Sequence, residues 1–231
     1  MRIINKIKTY MTLFQWLEVL TVAGFTIYFA ITNNENAWWY TLISSISAIC
    51  GIFCVVLCAG GKKAQYYWGF VNIAAYIVIA WISKYYGEVM LNVLYYLPTQ
   101  FIGMHFWKKH YSQKSENVKS KKMSIQAIIV SLVIIGLCIW GYRMILVLLG
   151  GNATWLDSAS TAFALIANAL MVMRYREQWI LWIVVDIITV CLWILAGDPI
   201  QTTMWVVYLI NAFYGFYMWS NLNKTENAEN E

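Results

Sequence analysis

Long apolar stretches separated by short polar loops make up most of the chain. Each stretch approaches the roughly 20 residues that an α-helix needs to cross the hydrocarbon core of a bilayer. None alternates between apolar and polar residues as a transmembrane β-strand would. The pattern therefore predicts an all-α integral membrane protein with eight helices, at residues 17–32, 38–58, 66–83, 88–107, 125–149, 155–173, 178–196 and 200–219.

The loops between these stretches predict their orientation. If the amino terminus is cytoplasmic, fourteen of the sixteen basic residues fall in cytoplasmic segments, whereas Lys84 lies in an outer loop and Arg143 within the fifth helix. Cytoplasmic loops are enriched in Lys and Arg in this way, so we expect both termini to be cytoplasmic. The fourteen residues are Arg2, Lys6, Lys8, Lys62, Lys63, Lys108, Lys109, Lys114, Lys119, Lys121, Lys122, Arg174, Arg176 and Lys224.

The first apolar stretch is the least typical of the eight, because it is short and contains Glu18. A signal peptide would lack Glu and would end at a small-residue cleavage site, for which residues 30–37 offer no good candidate. An interfacial helix is the other alternative. We interpret residues 1–35 as an accessory helix outside the core.

The other seven helices contain an internal repeat at an offset of 112 residues. Two three-helix units with the same orientation must be separated by an odd number of spans, and the fifth helix supplies one. This predicts a 3+1+3 core with parallel repeats, as in secondary transporters. The matching positions are Tyr96, Leu97, Phe101, Gly103 and Trp107 against Tyr208, Leu209, Phe213, Gly215 and Trp219. The predicted parts are a first three-helix bundle at 36–110, a basic cytoplasmic loop and linker helix at 111–150, a second bundle at 151–222 and a cytoplasmic tail at 223–231.

Composition agrees with a membrane protein. Hydrophobic residues make up 61% of the chain and charged residues only 12%, against about 25% in soluble proteins. The net charge of +5 comes from the loops, so it indicates membrane topology and no nucleic-acid partner. Cys50, Cys54 and Cys58 lie at helical spacing in one apolar stretch, which is more typical of small buried hydrophobes than of a metal site.

Enzyme chemistry has little support in the sequence. The two histidines, His105 and His110, both lie near the cytoplasmic end of the fourth helix. Metalloprotease, nucleophile-elbow and phosphate-loop motifs are absent from the sequence. We therefore predict no catalytic residue, no cofactor and no ATP-driven pumping.

Polar residues at bilayer depth are the candidates for a binding site, because a charge at a helix centre costs on the order of 2.5–3.5 kcal/mol. Asp186 lies near the middle of the seventh helix, on the same face as Trp179 and Trp182. The neutral candidates can equally be interhelical hydrogen bonds; they are Gln100, Asn211, Asn92 and Asn72. Pro98 predicts a kink in the fourth helix, which is either static or a hinge.

Two blocks of the chain combine aromatic, acidic and amide residues in a distinctive order. The first runs Lys84-Tyr85-Tyr86-Gly87-Glu88 and continues with Leu91-Asn92, Tyr96, Pro98, Gln100, Gly103 and Trp107; the second contains Asp157-Ser158, Met173-Arg174, Glu177, Trp179 and Trp182. These blocks resemble the PnuC-type nicotinamide riboside transporters. The resemblance covers residues 38–219 and leaves the first helix outside. It implies a full-length relative of the SWEET sugar transporters that assembles as a homotrimer.

The resemblance also implies a function. We expect uptake of nicotinamide riboside across the bacterial inner membrane by facilitated diffusion with alternating access, driven by phosphorylation inside the cell. The ligand's flat cationic ring would stack on Trp179 and Trp182, with Asp186 as counter-charge. The expected hydrogen-bonding partners of its carboxamide and ribose are Gln100, Asn211 and Asn92, with Tyr208 and Asn72 as further candidates. No arginine cluster is needed, because this ligand has no phosphate.

Other functions remain open at this stage. Thiamine also has a flat cationic ring, so another B vitamin is the alternative substrate, although neutral riboflavin would leave Asp186 unexplained. From a different class, a non-transporting scaffold and a vitamin receptor are alternatives; polar residues of both repeats that converge on mid-membrane speak against the scaffold. An open channel would need a continuous polar stripe, which the helices lack.

Overall fold

The computed structural model describes residues 11–32, 37–112, 116–150 and 154–228. Within these ranges the chain forms eight long helices and one short hairpin. The hairpin pairs β1 (Tyr111–Ser112) with β2 (Asn117–Val118) in antiparallel fashion. The helices are α1 (Leu13–Thr32), α2 (Trp38–Ala59), α3 (Gln65–Ile82), α4 (residues 86–109), α5 (Ile125–Leu148), α6 (Thr154–Val172), α7 (Gln178–Ala196) and α8 (Pro199–Ala228). Of the fourteen basic residues assigned to cytoplasmic segments, Arg2, Lys6, Lys8 and Lys114 lie outside the described ranges.

The exposed surface of the bundle is apolar. By length and composition, α1, α2, α5, α6 and α7 are able to cross a membrane. The linker helix α5 is the most exposed of these, since only Ile135 and Leu146 are buried along it. Such a surface needs lipid or protein around it. The prediction of an all-α membrane protein is thereby confirmed.

The two three-helix units, α2–α4 and α6–α8, make equivalent contacts. Trp107 at the end of α4 donates its indole N–H to the carbonyl of Met171 on α6 (3.2 Å), and Trp219 on α8 donates to the carbonyl of Cys58 on α2 (3.1 Å). The two tryptophans are 112 residues apart and their rings lie 5.8 Å apart. Each unit therefore closes against the first helix of the other, as a parallel repeat requires.

Two glycines show the same equivalence. A side chain at Gly103 would fall 2.5 Å from the Tyr66 hydroxyl, and one at Gly215 would fall 2.6 Å from the Trp179 ring. In each unit, an aromatic residue at the start of the second helix packs directly on the backbone of the third. Glycine is needed at both places because any Cβ would clash.

Helix α4 contains an irregular stretch where a kink at Pro98 was predicted. It consists of α-helix at Tyr86–Met90, π-helix at Leu91–Tyr96 and α-helix again at Leu97–Lys109. Pro98 stands in the first turn after the π-helix. The helix continues through it, because the wider turns before it accommodate a residue that has no N–H to donate.

Helix α1 packs on the outside of α2 and α8. The Gln15 side chain donates to the carbonyl of Val56 (2.6 Å), and Tyr214 donates to the hydroxyl of Thr12 (3.1 Å). Glu18 faces inward and is buried, with no hydrogen-bond partner for its carboxylate among the described residues. This placement agrees with a helix outside the repeat core.

Candidate functional site

A cavity lies between the two units and is lined by all six of their helices. It contains about 950 Å³ of empty space, part of it continuous with the outside. Seven of the eight predicted binding residues line this cavity, namely Trp179, Trp182, Asp186, Gln100, Asn92, Tyr208 and Asn72. Their roles in binding stay predictions.

Asn211, the eighth predicted residue, is fully buried and does not line the cavity. Its amide nitrogen donates to the carbonyl of Val55 on α2 at 3.4 Å. Its side-chain oxygen has no partner among the described residues. The residue therefore packs behind the cavity wall, and contact with a ligand stays a prediction.

Helix α7 supplies an aromatic and acidic face. Trp179 is almost fully buried against Trp219, with ring centroids 6.2 Å apart. Trp182 is partly open to the cavity and lies 6.4 Å from the ring of Tyr96 on α4. Asp186, one turn further along, is 3% exposed and has no hydrogen-bond partner among the described residues. A planar cation is the ligand chemistry that this face favours.

Several buried polar atoms of the cavity-lining side chains have no partner among the described residues. Buried polar groups are nearly always hydrogen-bonded, so a group of such atoms at one cavity indicates a polar ligand. The atoms are Oε1 of Gln100, the hydroxyl of Tyr208, Nε2 of Gln65 and the indole nitrogens of Trp179 and Trp205.

Two of the asparagines that line the cavity, Asn92 and Asn72, are held by one end of their side chains. Asn92 donates its amide nitrogen to the carbonyl of Glu88 (2.8 Å), which leaves its oxygen available as an acceptor. Asn72 accepts a hydrogen bond from Ser47 (3.0 Å), which leaves its amide nitrogen available as a donor. The neutral amides therefore combine an anchoring bond with a free polar atom.

Sequence reasoning missed the carboxylate of Glu88 as a lining residue. Glu88, Asn92, Tyr96 and Gln100 line the cavity at intervals of four residues, and that spacing was the available signal. It also missed Asn168 of α6, which donates to the hydroxyl of Thr99 at 2.8 Å. The other missed side chains that line it include Tyr76 and Trp205.

The charge of the cavity follows from this lining. Asp186 and Glu88 are acidic, and none of the described residues that line the cavity is Lys or Arg. The cavity is therefore suited to a cation and unsuited to a phosphate, which basic side chains or a helix amino terminus usually bind.

The end of the bundle that carries Asp157 and Asp198, here called the acidic end, is closed by contacts between the units. Asp157 on α6 accepts the backbone N–H groups of Gly87 and Glu88 at the start of α4 (2.9 and 3.1 Å). Asp198 caps α8 and accepts hydrogen bonds from Tyr40 and Ser44 of α2, both at 2.9 Å. Such bonds to helix amino termini also favour the negative charge electrostatically.

The opposite end, with the loops after α2, α4 and α6, is here called the basic end. An aromatic cluster of Tyr66, Trp107, Trp179 and Trp219 fills it, and Val118 packs beneath the cluster without exposure to solvent.

Residues 116–123, the strap, cross this basic end. Val118 donates its N–H to the carbonyl of Gly61 (3.0 Å), and Lys121 donates to that of Arg174 (2.7 Å). These two acceptors are in the equivalent loops of the two units, and both have left-handed backbone conformation. Ser120 donates to the carbonyl of Trp219 at 2.9 Å. The strap thus joins both units.

Lys62 is the basic side chain most closely bound to the strap. Its ammonium donates to the carbonyl of Glu116 at 2.9 Å. Burial lowers the pKa of Lys62, and the charge of Glu116 opposes this shift. The contact holds the loop after α2 against the strap.

Comparison with known proteins gives one family and several relatives. Residues 41–221 match the family described as nicotinamide mononucleotide transporter. A protein from Haemophilus influenzae named nicotinamide riboside transporter PnuC is 35% identical over 214 residues, which cover 92% of this chain and 91% of that protein. A protein of the same name from Neisseria mucosa is 35% identical over 206 residues, with 85% and 77% covered. A crystal structure described as the vitamin B3 transporter PnuC superposes with a TM-score of 0.80 at 32% identity, covering 93% of both chains.

Proposed function

The chain belongs to the nicotinamide mononucleotide transporter family, which includes the PnuC proteins, and we propose that it carries nicotinamide riboside across a membrane. The family description and the relatives' names differ by one phosphate group on the substrate. The lining of the cavity favours the riboside, because Glu88 and Asp186 are present without a basic partner. A phosphate would meet like charge there, whereas the cationic ring gains attractive Coulomb energy. This charge balance is the observation that carries the proposal.

The ring would bind at the α7 face. Trp182 lies opposite Tyr96, so an aromatic surface stands beside the open space. A cation against such a face gains up to about 2 kcal/mol when it is desolvated. Asp186 would then balance the charge of the ring. Trp179 would lie behind the ring site, where its packing against Trp219 would fix the angle of α7.

The carboxamide and ribose would use the unpaired polar atoms around the cavity. Gln100 and Tyr208 have side-chain oxygens without partners, and Asn72 and Asn92 each have one free end. A ligand with several hydroxyls and an amide satisfies such groups, whereas an apolar ligand would leave them unpaired at a cost of about 1–3 kcal/mol each.

Transport would proceed by alternating access between the units at 36–110 and 151–222, with residues 111–150 as linker. The bonds between units at both ends support this, since breaking one set while keeping the other opens one side. Pro98 and the adjacent π-helix are the hinge in this scheme. Transport would be facilitated diffusion. Phosphorylation of the imported riboside by a separate enzyme inside the cell would make the net transport inward.

The same proposal covers the protein's place in the cell. The basic end, with Lys and Arg in its loops, would face the cytoplasm according to the positive-inside rule, and so would both termini. The relatives come from bacteria, which supports the inner membrane. Assembly as a homotrimer is part of the proposal on the strength of the family resemblance.

Calorimetric titration of the purified protein tests the substrate. Nicotinamide riboside, nicotinamide mononucleotide, thiamine and riboflavin are compared side by side, with Trp182→Ala as the variant and Trp140→Ala, on the exposed face of α5, as its control. The riboside should bind at least tenfold more tightly than the other three, and only Trp182→Ala should abolish binding. Tighter binding of the mononucleotide or of thiamine would overturn the proposal.

A further inference from the structure

Glu88 is a cavity-lining carboxylate that the proposed ring site leaves unused. It lies in the first turn of α4 and is 4% exposed. Ser160 of α6 donates its hydroxyl to Glu88 Oε1 at 2.7 Å. The backbone N–H of Glu88 donates to the carboxylate of Asp157, also on α6. Helix α6 of the second unit therefore fixes the position of this α4 carboxylate.

The distance from Glu88 to the ring site suits a ligand that carries a sugar on its ring. Tyr96, which faces Trp182, is eight residues further along α4 than Glu88. At the α-helical rise of 1.5 Å per residue this would be about 12 Å, which is an upper bound because residues 91–96 are π-helical and rise less per residue. Asn92 lies between them on the same side of the cavity. A ligand whose ring lies against Trp182 and Tyr96 would thus extend its sugar towards Glu88.

We propose that Glu88 binds the ribose hydroxyls of the substrate and is the residue that rejects its phosphorylated form. This inference rests on the proposed function. An ionised carboxylate only accepts hydrogen bonds, and Ser160 occupies one oxygen, so the other and the Asn92 oxygen are left for sugar hydroxyls. Bonds from hydroxyls to a carboxylate are among the stronger ones.

The same charge opposes a phosphate. A 5′-phosphate would lie next to Glu88, in a region where Asp157 is also buried and the described lining residues supply no basic side chain. Like charges repel more strongly in such a poorly solvated place than in water. One side chain thus both binds the sugar and excludes the nucleotide.

The test compares three ligands: nicotinamide riboside, nicotinamide mononucleotide and N-methylnicotinamide methylated at the ring nitrogen, which has the cationic ring without a sugar. In Glu88→Gln, affinity for the riboside should fall at least tenfold more than affinity for N-methylnicotinamide, which loses only the longer-range attraction of the carboxylate for the ring. The preference for riboside over mononucleotide should shrink by a similar factor. Trp182→Ala should weaken both the riboside and N-methylnicotinamide, which separates the ring site from the sugar site.

Glu88→Asp is the second variant, because it keeps the charge with a shorter side chain. It should still discriminate against the mononucleotide, and a thermal unfolding midpoint near that of the wild type establishes that each variant is folded. Unchanged riboside affinity in folded Glu88→Gln, or equal losses for riboside and N-methylnicotinamide, would overturn the inference. Failure of the wild-type protein to bind the riboside would instead refute the proposed function.

Discussion

In the proposed site, Asp186 is the residue on which recognition of a cation would most depend. Its carboxylate is buried at the cavity without a hydrogen-bond partner among the described residues. A carboxylate in such a place is costly unless a ligand or a proton compensates its charge. The sequence allowed this residue to be predicted because an acidic side chain in the middle of an apolar helix is rare.

Replacing Asp186 with Asn should therefore lower the affinity for a cationic ligand more than the affinity for a neutral one. We expect the affinity for nicotinamide riboside to fall roughly 10- to 100-fold, which corresponds to loss of a charged interaction of about 1.4–3 kcal/mol. The reduced riboside, whose ring is neutral, is the matched ligand and should change less than threefold. Equal effects on both ligands in a calorimetric titration would show that Asp186 is structural.

Gly69 leaves the space that the side chain of Gln100, another predicted binding residue, occupies. A side chain there would fall 2.2 Å from Nε2 of Gln100. Gly69→Ala should displace Gln100 and weaken riboside binding roughly tenfold, because a hydrogen bond lost from a buried group costs about 1–3 kcal/mol. Gly136→Ala on α5 is the matched control, since nothing lies within 4 Å of its added methyl group. Wild-type affinity in Gly69→Ala would remove Gln100 from the site.

Single residues also show where sequence reasoning ended. Their position at the middle of the bilayer identified Gln100 and Asp186 as candidate binding residues. Depth in the bilayer alone does not say which face of a helix meets the cavity. Asn211 lies at mid-depth and packs behind the cavity wall, whereas Glu88, near a helix end, lines the cavity. Facing directions depend on how six helices pack, which is tertiary information.

At the scale of elements, the strap and the π-helix were the features that the sequence did not predict. Strands of two residues are too short to show a periodic pattern, and the strap is otherwise a run of polar and basic residues. The π-helix has no sequence signal beyond Pro98 next to it. The eight helices were predictable because each long apolar stretch forms one helix, although α8 continues nine residues beyond its predicted end at 219.

The strap should hold the basic end closed. Ser120→Ala removes its hydrogen bond to Trp219, worth about 1 kcal/mol, so opening at this end should become roughly fivefold more frequent. Cys58 lines the cavity near this end and serves as reporter after Cys50, Cys54, Cys138 and Cys191 are replaced by Ala. A membrane-impermeant maleimide applied from the basic side should label it about fivefold faster.

Ser131→Ala is the matched control for this labelling, because Ser131 bonds only to Ala127 of its own helix among the described residues. Its labelling rate should equal that of the parent. If Ser120→Ala labels at the same rate as Ser131→Ala, the strap does not restrain opening.

At the scale of the whole molecule, the repeat determines the architecture. Trp107 and Trp219 make equivalent bonds to opposite units, and Gly103 and Gly215 make room for equivalent aromatic residues. Matching aromatic and glycine positions at an offset of 112 made this predictable. The two acidic residues that line the cavity do not follow the repeat, since Glu88 and Asp186 lie on non-equivalent helices of the two units.

Uptake into liposomes containing the purified protein tests the central claim most directly. Labelled nicotinamide riboside is added outside, without any proton, sodium or ATP gradient, and empty liposomes provide the background. The riboside should enter until its internal concentration equals the external one, and excess unlabelled riboside should compete while the mononucleotide does not. Uptake no faster than into empty liposomes, or accumulation that requires an ion gradient, would contradict a facilitated riboside transporter.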